Sequence, residues 1–132
     1  MIARILAVAL LLCGLSVASA PHALAEEKAG GYLDAVEDMP LMEGLHETGE
    51  GGIVFDKPNG RIVRAIADGD VTAAAVRSFY IETLPQLGWR RQQKLELIAD
   101  LLVFRRDSER LEIQTVAGTG GKTEVRFSIE PE

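Results

Sequence analysis

The sequence predicts an α+β fold, one principal helix packed on an antiparallel sheet, and three observations point there. Ile53-Val54-Phe55-Asp56 and Arg61 to Ala67 are β-branched or apolar runs separated by Lys57-Pro58-Asn59-Gly60, a hairpin signal. From Val71 the apolar spacing turns helical. After Trp89, turn signals recur every eight to twelve residues, the rhythm of a meander. The expected order is β-β-α-β-β-β-β over residues 53–132, one domain preceded by a leader over 26–52.

In the hairpin, Pro58 presets φ for the second turn position, Asn59 tolerates the third, and Gly60 is free to take φ > 0 at the fourth. Asp70 is placed to cap the helix by accepting from the N–H groups of its first turn. Val76, Phe79, Tyr80, Thr83, Leu84 and Leu87 then fall on one face, with Arg77 and Glu82 off it. Pro85 ends or kinks the helix near Leu84, and Gly88 suits a left-handed stop. Beyond it, Leu111, Ile113 and Thr115 alternate with polar residues, as do Val125, Phe127 and Ile129, which describes strands with one wet face. Residues 92–103 fit two patterns. Leu95, Ile98, Ala99 and Leu102 match helical spacing, whereas Trp89 and the flanking turns favour a hairpin of 89–97 with 101–106, and the hairpin is expected.

The chain has 132 residues, 47% of them hydrophobic and 26% charged, enough for one packed domain and too apolar for a disordered one. A pI near 5.0 argues against a nucleic-acid reader, whose footprint is basic. Residues 1–25 read as a secretory signal peptide: Arg4, an almost wholly apolar run from Ile5 to Val17, then small residues. Ala18-Ser19-Ala20 would leave Pro21 just past the cut, so cleavage is expected after Ala25, with a periplasmic or secreted product and no transmembrane segment left. Leu12 before Cys13 argues against lipid attachment there. The remaining residues 26–132 hold no cysteine and lose only Arg4 among the charges, which makes them more acidic than the whole chain. The leader is rich in Gly and Glu and is expected to run extended over the domain, with Met39-Pro40-Leu41-Met42 tucked against it.

Phe79-Tyr80, then Thr83-Leu84-Pro85-Gln86-Leu87-Gly88-Trp89, with Asp38-Met39-Pro40-Leu41 in the leader, resemble a family of small exported bacterial envelope proteins. The resemblance spans most of residues 34–130. It implies a helix packed on an antiparallel sheet and carries no established catalytic residue.

Catalytic signals are weak throughout. Gly121-Lys122-Thr123 ends like a phosphate-binding loop, but Val116 stands where the first glycine is needed and a strand is expected next instead of a helix. Glu43, His46, Glu47 and Glu50 have a metal-like spacing, yet zinc favours more nitrogen or sulfur donors and Gly44 and Gly49 break the helix that would align them. No nucleophile-elbow pattern surrounds Ser78, Ser108 or Ser128. No metal and no cofactor is expected.

Two binding features remain. Arg90, Arg91, Lys94, Arg105, Arg106 and Arg110 concentrate basic charge in a short span, a candidate patch for an anionic partner, although Glu96, Asp100, Asp107, Glu109 and Glu112 interleave with it as on any wet sheet face. Phe79, Tyr80, Trp89 and Phe104 are candidate lining for a pocket between helix and sheet. The expectation is therefore a non-catalytic protein-interaction or assembly module, its partner an envelope protein or an anionic envelope surface. The alternative is a small-ligand or lipid-headgroup binder that uses the aromatic pocket.

Overall fold

The computed structural model describes residues 30–49 and 52–132; the expected signal peptide and its cleavage site lie outside them. The chain begins with β1 (Tyr32–Leu33) and β2 (Val36–Pro40), which pair as a small hairpin, followed by β3 (His46–Glu47). The hairpin β4 (Ile53–Lys57) and β5 (Gly60–Gly69) leads into α1 (Ala73–Thr83). Then come β6 (Arg90–Arg91), β7 (Leu101–Arg106), β8 (Glu109–Ala117) and β9 (Thr123–Pro131). One helix on an antiparallel sheet is an α+β fold. No helix among the described residues is long and apolar enough to cross a membrane.

The sheet runs β3-β5-β9-β8-β7-β6, and β4 pairs with the same edge of β5 that β3 uses further along. Its register stacks the inward side chains into rows across the strands. Val63, Ile129, Leu111 and Phe104 form one row, and Ala65, Phe127, Ile113 and Leu102 the next. All eight are buried. The period-two alternation visible in the sequence produces this, since it sends every second residue to the same face.

Val76, Tyr80 and Leu84 are the helix residues that reach the core, at the spacing the sequence showed. Two details differ. Thr72, not Asp70, caps the helix: its hydroxyl accepts from the Ala75 N–H at 3.1 Å, because the chain stays extended until Thr72 and that places its Oγ1 over the first turn. Leu87 is exposed, because from Leu84 the chain tightens into a 3₁₀ turn carrying Pro85, and the apolar stripe rotates off the core. Gly88 ends that turn at φ +85°, where a β-carbon would be strained.

Residues 32–47 do more than lie across the domain. Leu33, Val36, Met39, Leu41 and Leu45 are buried in the common core, and β3 extends the sheet. The Gly44–Leu45 turn rests so closely on the end of β5 that a β-carbon at Gly69 would overlap the Gly44 carbonyl.

Tyr80 joins the three parts. Its ring packs edge-on against Phe127 of the sheet and Phe79 of the helix, at centroid distances of 5.5 and 4.9 Å, and its hydroxyl donates to the Pro40 carbonyl at 3.0 Å. Burial pushes the phenol well above its ordinary pKa, with the Met42 backbone pulling weakly the other way. An unfolded tyrosine ionises near about pH 10. The folded phenol does not, so the stabilisation is complete below that pH and declines as pH rises above it. Tyr80→Phe is expected to cost about 1–2 kcal/mol at neutral pH through the lost hydrogen bond, and to shrink the stability loss above pH 10. Urea unfolding at pH 7 and pH 10.5 measures both.

Candidate interaction surface

The six basic residues do not form one patch. Arg90, Arg105 and Arg110 lie side by side in register on the outer sheet face, with Glu130 next in the row. Like charges directly opposite repel, and carboxylates relieve this: Arg105 pairs with Glu132, and Arg110 with Glu112 and Glu130. Arg106 points to the opposite face, its guanidinium 4.3 Å from the Trp89 ring centroid and paired with Asp38 of β2. It also donates to the Leu87 carbonyl, so it ties the helix exit to the leader. Four of the six thus have acidic partners, Arg91 being the fourth. Arg90 and Lys94 have none among the described residues. A period of two separates neighbours in sequence onto opposite faces, and that divides the cluster.

The aromatic pocket is not formed by these residues either. Tyr80, Trp89 and Phe104 are fully buried core and offer no aromatic surface to a ligand, and Phe79 is half-buried against that core. The Trp89 Nε1–H has no hydrogen-bond partner among the described residues, and the stacked Arg106 covers its ring. An open polar groove of about 280 Å³ lies instead on the outer sheet face, among Arg64, Glu112, Gln114, Arg126 and Ser128.

His46 and Glu47 sit in β3 opposite Asp68 and Ala67, and a Glu47 carboxylate oxygen accepts the Asp34 N–H at 2.9 Å. Glu50 lies outside the described residues. Among the described residues no three His, Cys, Asp or Glu side chains gather as a metal site. Lys122 leads directly into β9 and pairs with Asp68.

The two sheet edges are treated differently. Strand pairing expected over 89–97 stops at Arg91: the Gln92 N–H bonds the Val103 carbonyl at 2.7 Å, then residues 93–95 turn as 3₁₀. Glu96 replaces the missing strand. Its nearly buried carboxylate takes a two-pronged bond from Arg91 (2.8 Å each), one from Arg77 of the helix (3.3 Å) and the Val103 N–H (3.4 Å). The Arg91 hydrogen bonds, ahead of the other contributions, hold its pKa below the ordinary carboxylate value even though burial opposes them.

The other edge, β4, is bare among the described residues. Ile53, Val54 and Phe55 are 56%, 45% and 58% exposed, and among the described residues no backbone group pairs with the outer side of the strand. Ile62 opposite Phe55, and Ile66, extend the apolar surface over the outer face. Sequence reasoning took this run for ordinary strand and missed it as a surface. Its signal was the absence of alternation in Ile-Val-Phe, which is apolar on both faces.

Two measurements test these assignments. Glu96→Gln should lower stability by about 2 kcal/mol at pH 7, the scale of hydrogen bonds to a charged group. The carboxylate's contribution is present above about pH 4.3 and fades as pH falls through its lower folded value, so the variant's acid unfolding limb should be flatter. Arg106→Ala should cost about 1–2 kcal/mol by losing the stacked indole contact and the link to Asp38. Arg105→Ala, an exposed pair, should cost under about 0.5 kcal/mol. Equal effects would contradict the division of the cluster between two faces.

Comparison with protein-family models, with curated proteins and with solved structures finds no match for this chain.

Proposed function

We propose that this is a non-catalytic exported envelope protein that acts as an interaction or assembly module, docking a partner protein along β4. The exposed apolar edge carries this reading. Exposed strand edges are normally blunted by charge, bulges or covering segments, because they template pairing with another chain. This fold covers its other edge with Glu96 and the 92–100 loop, yet among the described residues nothing covers β4. An extended segment of a partner fits such an edge by strand addition: backbone hydrogen bonds supply affinity, and the surfaces around Ile53, Phe55 and Ile62 select its side chains. Burial of Tyr80, Trp89 and Phe104 supports this reading over a ligand pocket between helix and sheet. The apolar run of residues 5–17 and the resemblance to exported envelope proteins support the location.

In-cell crosslinking of the tagged protein, read by mass spectrometry, tests the proposal. Ile53→Glu/Phe55→Glu places two charges on the edge and touches no core residue, so stability should change by less than about 1 kcal/mol. The expected outcome is one dominant envelope partner whose yield falls at least fivefold in the double variant. Unchanged recovery of the same partner overturns docking at β4. Reproducible turnover of any substrate, abolished by His46→Ala, overturns the non-catalytic reading.

A further inference from the structure

The loop between β6 and β7 has its polarity inverted. Its most enclosed side chain is the acid Glu96, only 7% exposed, while the flanking Leu97 and Ile98 are 84% and 54% exposed and Leu95 is 43% exposed. Three aliphatic side chains in water within four residues form an exposed apolar tip of the kind that marks an interaction site. The tip is held there. Arg91 and Arg77 clamp Glu96 from the sheet edge and from the helix, the Gln92 N–H bonds Val103, and the Asp100 carbonyl accepts from Thr115 at 3.0 Å. Because Glu96 is drawn inward, its neighbours are driven outward.

The charges around the tip point to its occupant. Arg90 and Lys94, at the N-terminal side of the tip, are the two members of the basic cluster with no carboxylate partner among the described residues. Asp100 closes the loop at its base, where its backbone is bonded to β8. An apolar tip that follows two such cations in the chain, Lys94 adjoining Leu95, matches the layering of an anionic bilayer surface: phosphates at the level of the ammonium and guanidinium, acyl chains just below.

We propose that residues 94–98 seat the protein on an anionic lipid surface, with Leu95, Leu97 and Ile98 entering the headgroup–acyl boundary and Arg90 and Lys94 contacting lipid phosphates. The chain carries a net charge of −6, so the attraction is local. It acts within a Debye length, about 10 Å at 0.1 M salt, and orients this end of the sheet toward the bilayer. The docking is therefore weak and salt-sensitive. It uses a surface at the opposite sheet edge from β4, which leaves that edge free.

The test places an environment-sensitive nitrobenzoxadiazole label on Leu97→Cys in the full chain, in a Cys13→Ser background so that the label has one site. The readout sits at the tip, so any membrane affinity of the apolar N-terminal run does not mimic it. On vesicles of equal phosphatidylglycerol and phosphatidylcholine the emission should shift to the blue and brighten, and the shift should disappear in 0.5 M NaCl. Arg90→Gln/Lys94→Gln should weaken the lipid affinity about thirtyfold, on the scale expected for two lost surface cations. Ile98→Ser should weaken it further with an unchanged circular dichroism spectrum. A label that stays in water while the chain sediments with the vesicles overturns the proposal. So does an equal shift on pure phosphatidylcholine, or a shift seen only with envelope proteins and not with lipid.

Discussion

Tyr80 stands where the helix, the sheet and the N-terminal hairpin meet, and the arrangement of all three depends on it. A single-layer sheet of this size has an apolar inner face that one eleven-residue helix does not cover alone. The residues before β4 complete the cover, contributing Leu33, Val36, Met39, Leu41 and Leu45. The phenol ring fills the space between helix and sheet, and its hydroxyl meets the Pro40 carbonyl at the hairpin's end. A phenylalanine would pack there equally well but would leave that carbonyl without its partner. The hydroxyl thus fixes where the hairpin lies as well as adding stability.

With the inner face closed, the chain's remaining choices concern edges. At the β6–β7 end the sheet stops early and Glu96 substitutes for a strand, accepting one ladder N–H while two arginines balance its charge. Enclosing a carboxylate is costly unless its charge and lone pairs are met, and here both are. At the β4 end no such device is present among the described residues, and an apolar strand faces water. This asymmetry is the main argument that β4 serves recognition. The same device at the other end pushes Leu97 and Ile98 outward, so enclosing an acid and exposing aliphatic groups are one structural event.

The arginines show how a linear cluster changes meaning on folding. Arg105 and Arg106 are adjacent in sequence, yet one lies on the outer face beside Arg110 and the other covers Trp89 on the inner side. Acidic partners come from distant positions: Asp38 in β2 for Arg106, Glu132 at the end of the chain for Arg105 and Glu130 in β9 for Arg110. Nothing in the spacing of the arginines announces those partners. Glu96 was read in the sequence as one of several interleaved acids, and its importance comes from Arg77, brought to it by the helix packing.

The fold class, the β4–β5 turn, the helix stripe of Val76, Tyr80 and Leu84, its stop at Gly88, and the inward rows of β8 and β9 are all legible in the amino-acid order. These follow from local periodicity and turn chemistry, which act between residues a few positions apart. That Thr72 caps the helix, that Leu87 faces water and that pairing in β6 ends at Arg91 emerge from folding in three dimensions. The same holds for the aromatic residues becoming core, and for which edge is covered and which is bare. Burial and charge pairing depend on which distant segments come to lie together, and that is set by long-range packing rather than by any local pattern.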